Sequence, residues 1–187
     1  MGMIIGITGT IGAGKGAVVA YLVREKGFTH YSARAFFAEK MEGAGIPIDR
    51  DNMIVFANAL RSEHGPRYVF DELWKRACAS EKSAVIESIR AIGEAEALKE
   101  QGGILLSIDA DQKIRYERIH GRASALDNVT FEEFAEQEAR EMHSNDVHNQ
   151  NIAAVMHMAD FTIINNDSLS DLHSQIEAIL ENLTSTK

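Results

Sequence analysis

The stretch Gly9-Thr10-Ile11-Gly12-Ala13-Gly14-Lys15-Gly16 follows the apolar run Met3-Ile4-Ile5-Gly6-Ile7 and precedes a helical pattern running from near Lys15 to about Lys26. A buried strand that breaks into glycines and then enters a helix restricts the chain to an α/β layout with its first turn facing an anion. Gly9, Gly14 and Lys15 match G-x-x-x-x-G-K, the Walker A pattern, whose backbone N–H groups turn inward around phosphate oxygens while the lysine brings a mobile positive charge. The following helix aims its positive dipole end at the same anion. Three fixed letters recur by chance in about 5% of chains this long. The weight of the reading therefore rests on the mounting of strand, loop and helix, which the binding mechanism requires.

Further short apolar runs at Ala84–Ile86, Ile104–Ile108 and Phe161–Ile164, with a weaker one at Phe28–Tyr31, alternate with longer helical stretches. That alternation predicts parallel strands buried on both faces. Val18, Val19, Leu22 and Val23 form an apolar stripe on the first helix, and Ile54, Val55, Ala59 and Leu60 are expected to do the same after Asp51. Thr130-Phe131-Glu132-Glu133 reads as a capping box, and Ser168 precedes a last helix carrying Leu172, Ile176, Ile179 and Leu180. Pro47 and Pro66 fall between helical patterns, and no repeat or linker divides the 187 residues, so one domain is expected.

A net charge of −9 disfavours a polynucleotide partner, whereas a small phosphorylated ligand needs only a local positive pocket. The single Cys78, read as a buried helix residue, excludes an intramolecular disulfide framework. With neither a leader nor a long apolar span in view, no membrane partner and a cytoplasmic residence are expected. Oligomeric state is left open.

In open parallel sheets ligands collect beyond the carboxyl ends of the strands. The second strand ends at Tyr31-Ser32, leading into a helix with Arg34. The third ends at Ala84-Val85-Ile86-Glu87, a Walker B form that presents a carboxylate towards a metal, and Arg90 follows three residues later with a fork suited to phosphate. The fourth leads through Ile108-Asp109-Ala110-Asp111 to Arg115, Arg118 and Arg122; the last two share one helix face, which reads either as a solvated basic face or as a phosphate contact. Arg61 lies in the second helical stretch, where pairing with acidic neighbours competes with ligand binding. Arg140 reads either as a phosphate contact or as a surface partner of Glu136. Asn165 and Asn166 follow the last strand, where turn chemistry explains them, and the superfamily resemblance set out below offers contact with a donor base as an equal alternative. His143, His148 and His157 fit no standard metal spacing.

The segment Val85-Ile86-Glu87-Ser88-Ile89-Arg90, with Gly12-Ala13-Gly14-Lys15-Gly16 before it, resembles the adenylate kinases within the P-loop nucleotide kinase superfamily. The resemblance implies a three-layer α/β fold with a five-stranded parallel sheet in the order 2-3-1-4-5, an acceptor-binding helical insertion over about 32–80 and a short lid over about 121–142. It implies ATP and Mg²⁺ as ligands. Residues 9–17, namely Gly9, Thr10, Ile11, Gly12, Ala13, Gly14, Lys15, Gly16 and Ala17, would hold the donor together with Arg118 and Asn165. Lys15, Arg90, Arg118 and Arg122 would act on the transferring phosphoryl group, Ser32, Arg34, Arg61 and Arg90 would hold a nucleoside monophosphate or similar small phosphorylated acceptor, and Glu87 would reach the metal through water. Two departures stand out: Glu87 replaces the family's aspartate, and Gly16-Ala17 offer no hydroxyl where the P-loop pattern places one. Dephospho-coenzyme A kinase is the alternative within the class, and a nucleotide-binding regulatory switch the alternative outside it.

Overall fold

The chain was analysed as a computed structural model that describes residues 2–121, 130–142 and 151–185. Five parallel strands, β1 (Ile4–Gly9), β2 (Thr29–Ser32), β3 (Ala84–Glu87), β4 (Ile104–Asp109) and β5 (Phe161–Ile164), form one sheet in the order β2-β3-β1-β4-β5. This is the order the resemblance implies. Strand β1 is central, with Ile7 opposite Glu87 on one side and Thr8 opposite Ser107 on the other. The strand alternation sorts the core into two layers. Ile5, Ile7, Val85, Leu106, Ile108 and Ile163 face α1 (Lys15–Lys26) and α9 (Leu169–Ser185), while Ile4, Ala84, Ile86 and Leu105 face the opposite layer. That layer holds α2 (Ala33–Gly43), α3 (Arg50–His64), α4 (Tyr68–Ala79), α5 (Ile92–Glu100) and α8 (Ile152–His157). Each fully buried side chain there, such as Phe36 or Phe70, contributes about 1.5–3 kcal/mol of transfer free energy.

Helices α2, α3 and α4 sit between β2 and β3 in sequence, which puts them beside the carboxyl ends of those strands. Their order follows local signals: the Ser32 and Asp49 side chains accept from Ala35 and Asn52 N–H to start α2 and α3. The α3 face differs from the expected one. Met53, Phe56, Ala57 and Leu60 turn inward, whereas Val55 is 69% exposed and Ala59 is exposed. Apolar residues at successive positions allow two helical faces, and packing against α2 and α4 selects the one with the larger side chains. The side chain of Ile54 lies outside the described residues.

Beyond β4, α6 (Gln112–His120) leads towards α7 (Phe131–Met142). Helix α7 opens with the expected box: Glu133 N–H donates to the Thr130 hydroxyl at 3.2 Å, and Thr130 N–H donates to the Glu133 carboxylate at 2.8 Å. Cys78 is half-buried against the core rather than fully enclosed. Among the described residues no helix is long and apolar enough to cross a membrane.

Candidate active site

The glycine loop bridges β1 and α1 at the carboxyl edge of the sheet. Gly14 stands at the amino end of α1 with φ 98°, a left-handed conformation, and a Cβ there would lie 2.3 Å from the Asn165 amide nitrogen. Glycine meets both demands. The first turn of α1 has no side-chain cap and no acidic residue. An external anion therefore has the helix dipole to itself. Lys15 is folded back, its ammonium donating to the carbonyls of Gly9 at 2.9 Å and Thr10 at 2.8 Å. Those carbonyls hold the charge over the concavity that a polyphosphate would enter.

The loop is buttressed one residue at a time. Thr10 donates its hydroxyl to Asp109 at 2.6 Å, and Arg115 donates to the Ile11 carbonyl at 3.3 Å. Asn165, 6% exposed, donates its amide to the Ala13 carbonyl at 2.8 Å, while Arg118 donates to the Asn165 carbonyl at 2.8 Å. The Asn165 side chain, expected at a donor base, is turned under the loop instead: burial leaves its amide needing a partner, and Ala13 supplies one. Arg118 keeps its place at the exits of β4 and β5. Arg122 lies outside the described residues, as do the side chain of Arg140, the segment 122–129 of the expected lid, His143 and His148. His157 bonds the Ala153 carbonyl of its own helix.

Glu87 ends β3 beside the loop. A hydrogen bond from His30 at 3.0 Å is foremost in holding its carboxyl below the ordinary carboxylate value; partial burial opposes this, and the charges of His30, Lys15 and Arg90 add to the lowering. Lys15 and Arg90 therefore both lie within electrostatic reach of Glu87. The sheet register does the assembling, since Glu87 pairs with Ile7 on one side and with Ser32 on the other.

Between the helices α2 and α4 and the end of β3 a small pocket is lined by Ala33, Val69, Phe70, Leu73, Ile86 and Ile89, with Glu87, Ser88 and Glu94 as its polar members. Ser88 adopts φ 74° at its rim. Glu94 is fully enclosed and accepts from the N–H groups of Arg90 at 2.9 Å and Ala91 at 3.2 Å, closing the start of α5. Burial raises its pKa, against the pull of those N–H groups and of the Arg61 and Arg90 charges. Arg61 is thus brought near the pocket from α3. Arg34 is exposed on the first turn of α2 and pairs with no carboxylate among the described residues, while Ser32 uses its hydroxyl as the cap of that helix.

The residues suit a hydrated cation rather than a protein cage. Among the described residues no cluster of three or more His, Cys, Asp or Glu side chains can hold a metal. Gly16 and Ala17 lack hydroxyls, Thr10 has committed its own to Asp109, and Thr8 is buried within the sheet. Carboxylates at the edge beside the loop include Glu87 and Asp109, the latter accepting from Thr10, a sparse donor set that fits Mg²⁺ carried mainly by phosphates and water.

Two participants, His30 and Glu138, escaped the sequence reading, and two others, Asp109 and Arg115, were named there without their partners. His30 precedes the expected strand end by two residues, and Asp109 was visible after β4 but had no partner to give it meaning. Arg115 and Glu138 meet from different helices. Strand-end position was the available signal for His30 and Asp109; none existed for Glu138.

A family model described as AAA domain matches residues 5–144. A UPF0200 protein of Pyrobaculum aerophilum is 31% identical over 180 residues, covering 95% of this chain and 96% of its own. Among solved structures, shikimate kinase from Acinetobacter baumannii aligns with a TM-score of 0.61 at 17% identity, over 100% of this chain and 96% of that one. A gluconokinase from Sinorhizobium meliloti aligns at 0.55 and 15%, over 100% and 97%. At such identities the two structures speak to the fold alone, and it is the P-loop kinase fold. The chain belongs to the AAA domain family and to the UPF0200 proteins.

Proposed function

We propose that the protein is an ATP-dependent phosphotransferase that moves the γ-phosphoryl group to a nucleoside monophosphate or similar small phosphorylated acceptor. The observation that carries this reading is the position of Glu87, which pairs with Ile7 of the loop's own strand on one side and with Ser32 on the other and lines the α2–α4 pocket, with the Lys15 and Arg90 charges near enough to help lower its pKa. A donor held by the loop and an acceptor held by Arg34, Arg61 and Arg90 would meet there. Fold neighbours named shikimate kinase and gluconokinase support small-molecule phosphotransfer in general; the phosphorylated acceptor rests on the arginines.

In the transfer, an acceptor phosphate oxygen forms a bond to the γ-phosphorus while the bridge to the β-phosphate breaks and its electrons leave with ADP. An acceptor phosphate oxygen carries no proton that must be removed, so the chemistry needs positioning and charge stabilisation rather than a side-chain base. Lys15 would leave the Gly9 and Thr10 carbonyls to neutralise the β and γ phosphates. Arg90 would orient the acceptor and Arg118 would steady the donor side, with Arg122 assigned there by resemblance. Glu87 would accept hydrogen bonds from water around bound Mg²⁺, which supplies charge neutralisation between the phosphates.

The missing hydroxyl at Gly16-Ala17 favours a second reading, a nucleotide-dependent switch with slow hydrolysis. Dephospho-coenzyme A kinase remains the rival within the class. A panel of acceptors with Mg-ATP separates the three. ADP release that requires one nucleoside monophosphate is expected; release that requires dephospho-coenzyme A replaces the acceptor, and slow release indifferent to every acceptor replaces the kinase with a switch.

A further inference from the structure

The geometry points to Arg115 and Glu138 as a positioning pair through which helix α7 sets the shape, and so the affinity, of the glycine loop; this rests on the loop binding a polyphosphate. Arg115 is 5% exposed and Glu138 8%. The guanidinium reaches three elements at once. Its Nε donates to the Ala110 carbonyl at the exit of β4 at 2.7 Å, its Nη1 donates to the Ile11 carbonyl at 3.3 Å, and Nη1 and Nη2 both meet the Glu138 carboxylate of α7, Nη2 at 3.1 Å. Gln112 donates to the same carboxylate at 2.8 Å, and the buried Phe134 ring of α7 lies 5.9 Å from the guanidinium carbon.

Two further contacts bind this cluster to the loop. Asp109 lies 3.7 Å from Arg115 Nε while accepting the Thr10 hydroxyl, so the charges form one chain from Thr10 to Glu138. A Cβ at Gly12 would stand 2.6 Å from the Arg115 carbonyl, which places the backbone of α6 directly against the loop. Thr10, Ile11 and Gly12 are thereby fixed from the α6 side.

Folding energy alone does not account for such a pair, because well-packed apolar residues of similar volume commonly serve a protein interior as well as a buried ion pair does. Directionality does account for it. A planar fork can aim one N–H at Ile11 and another at Ala110 only while a bidentate carboxylate fixes its plane. Without Glu138 the guanidinium keeps, among the described residues, only the Asp109 carboxylate, 3.7 Å from Nε, as a counter-charge; its Nη side is left without a partner carboxylate, its plane is no longer fixed, and the Ile11 carbonyl loses its donor. Phosphate affinity depends on the directions of the neighbouring loop N–H groups, so a shift of the loop at Ile11 weakens it. Helix α7 therefore acts on the donor through the loop.

Calorimetric binding of Mg-ATP and of inorganic tripolyphosphate, with hydrogen exchange at residues 10–14, tests the pair in the full chain. Glu138→Gln is expected to weaken both ligands about tenfold or more and to speed exchange in the loop, while acceptor KM is unchanged; Glu132→Gln, on an exposed position of α7, is expected to match wild type. If Glu138→Gln fails to fold, Arg115→Met/Glu138→Met keeps the test alive, since an apolar pair should restore the melting temperature but not the affinity. Folded variants that bind as wild type with unchanged loop exchange overturn the inference. Wild-type protein that binds neither ligand overturns the proposed function first, and the inference with it.

Discussion

Two glycines one position apart from Lys15 face opposite constraints. Gly14 needs a left-handed backbone and has Asn165 against it, whereas a Cβ at Gly16 would meet no heavy atom within 4 Å. Gly14→Ala is expected to lower stability by about 1–3 kcal/mol, read by denaturant unfolding, and to detach Asn165 from Ala13. Gly16→Ser is expected to fold as well as wild type or slightly better, by up to about 0.5 kcal/mol, since glycine is the weaker helix former. Its hydroxyl would stand where the Walker A pattern carries a magnesium ligand. Mg²⁺ titrations of ATP binding should shift to lower metal concentration in that variant; superimposable curves would show that the missing hydroxyl limits nothing. The loop letters were legible in the sequence because backbone geometry alone selects glycine there. The role of Asn165 was not, because its partner Ala13 lies 152 residues away and is a main-chain carbonyl.

At the scale of elements, the strands were legible because each is a short apolar run flanked by turns or by charge, and the buried strand-end position then pointed to Glu87 and Arg90. Helix α3 was misread because a run of apolar residues leaves its phase to the packing. The buttress was invisible for a different reason: Thr10 and Asp109 are 99 residues apart, and Arg115 meets Glu138 across two helices. Spacing rules reach no further than one helix turn or one strand pair. Helix α5 offers a test of its own. The enclosed Glu94 carboxyl has a raised pKa, so the folded state takes up its proton more readily than the unfolded chain. Its contribution to stability is fullest below the ordinary carboxylate value and is lost as pH rises through the raised one. Glu94→Gln keeps an oxygen for the Arg90 and Ala91 N–H groups and removes the titration. The melting temperature of Glu94→Gln minus that of wild type should therefore climb as pH rises above the ordinary carboxylate value. A flat difference would mean that Glu94 stays ionised without penalty.

The whole molecule places the glycine loop and the α2–α4 pocket on either side of the β1/β3 edge and ties the loop to α6, α7 and the β5 exit. The Lys15 ammonium is held over that loop by its resting bonds to the Gly9 and Thr10 carbonyls. Calorimetry of Mg-ATP binding to wild type and to Lys15→Ala tests the central claim most directly. Binding by wild type, with affinity and any turnover reduced about a hundredfold or more in a variant whose melting temperature stays close to wild type, is the expected result. Absence of heat and of thermal protection for wild type with every common nucleoside triphosphate, or equal binding by the two proteins, would contradict it.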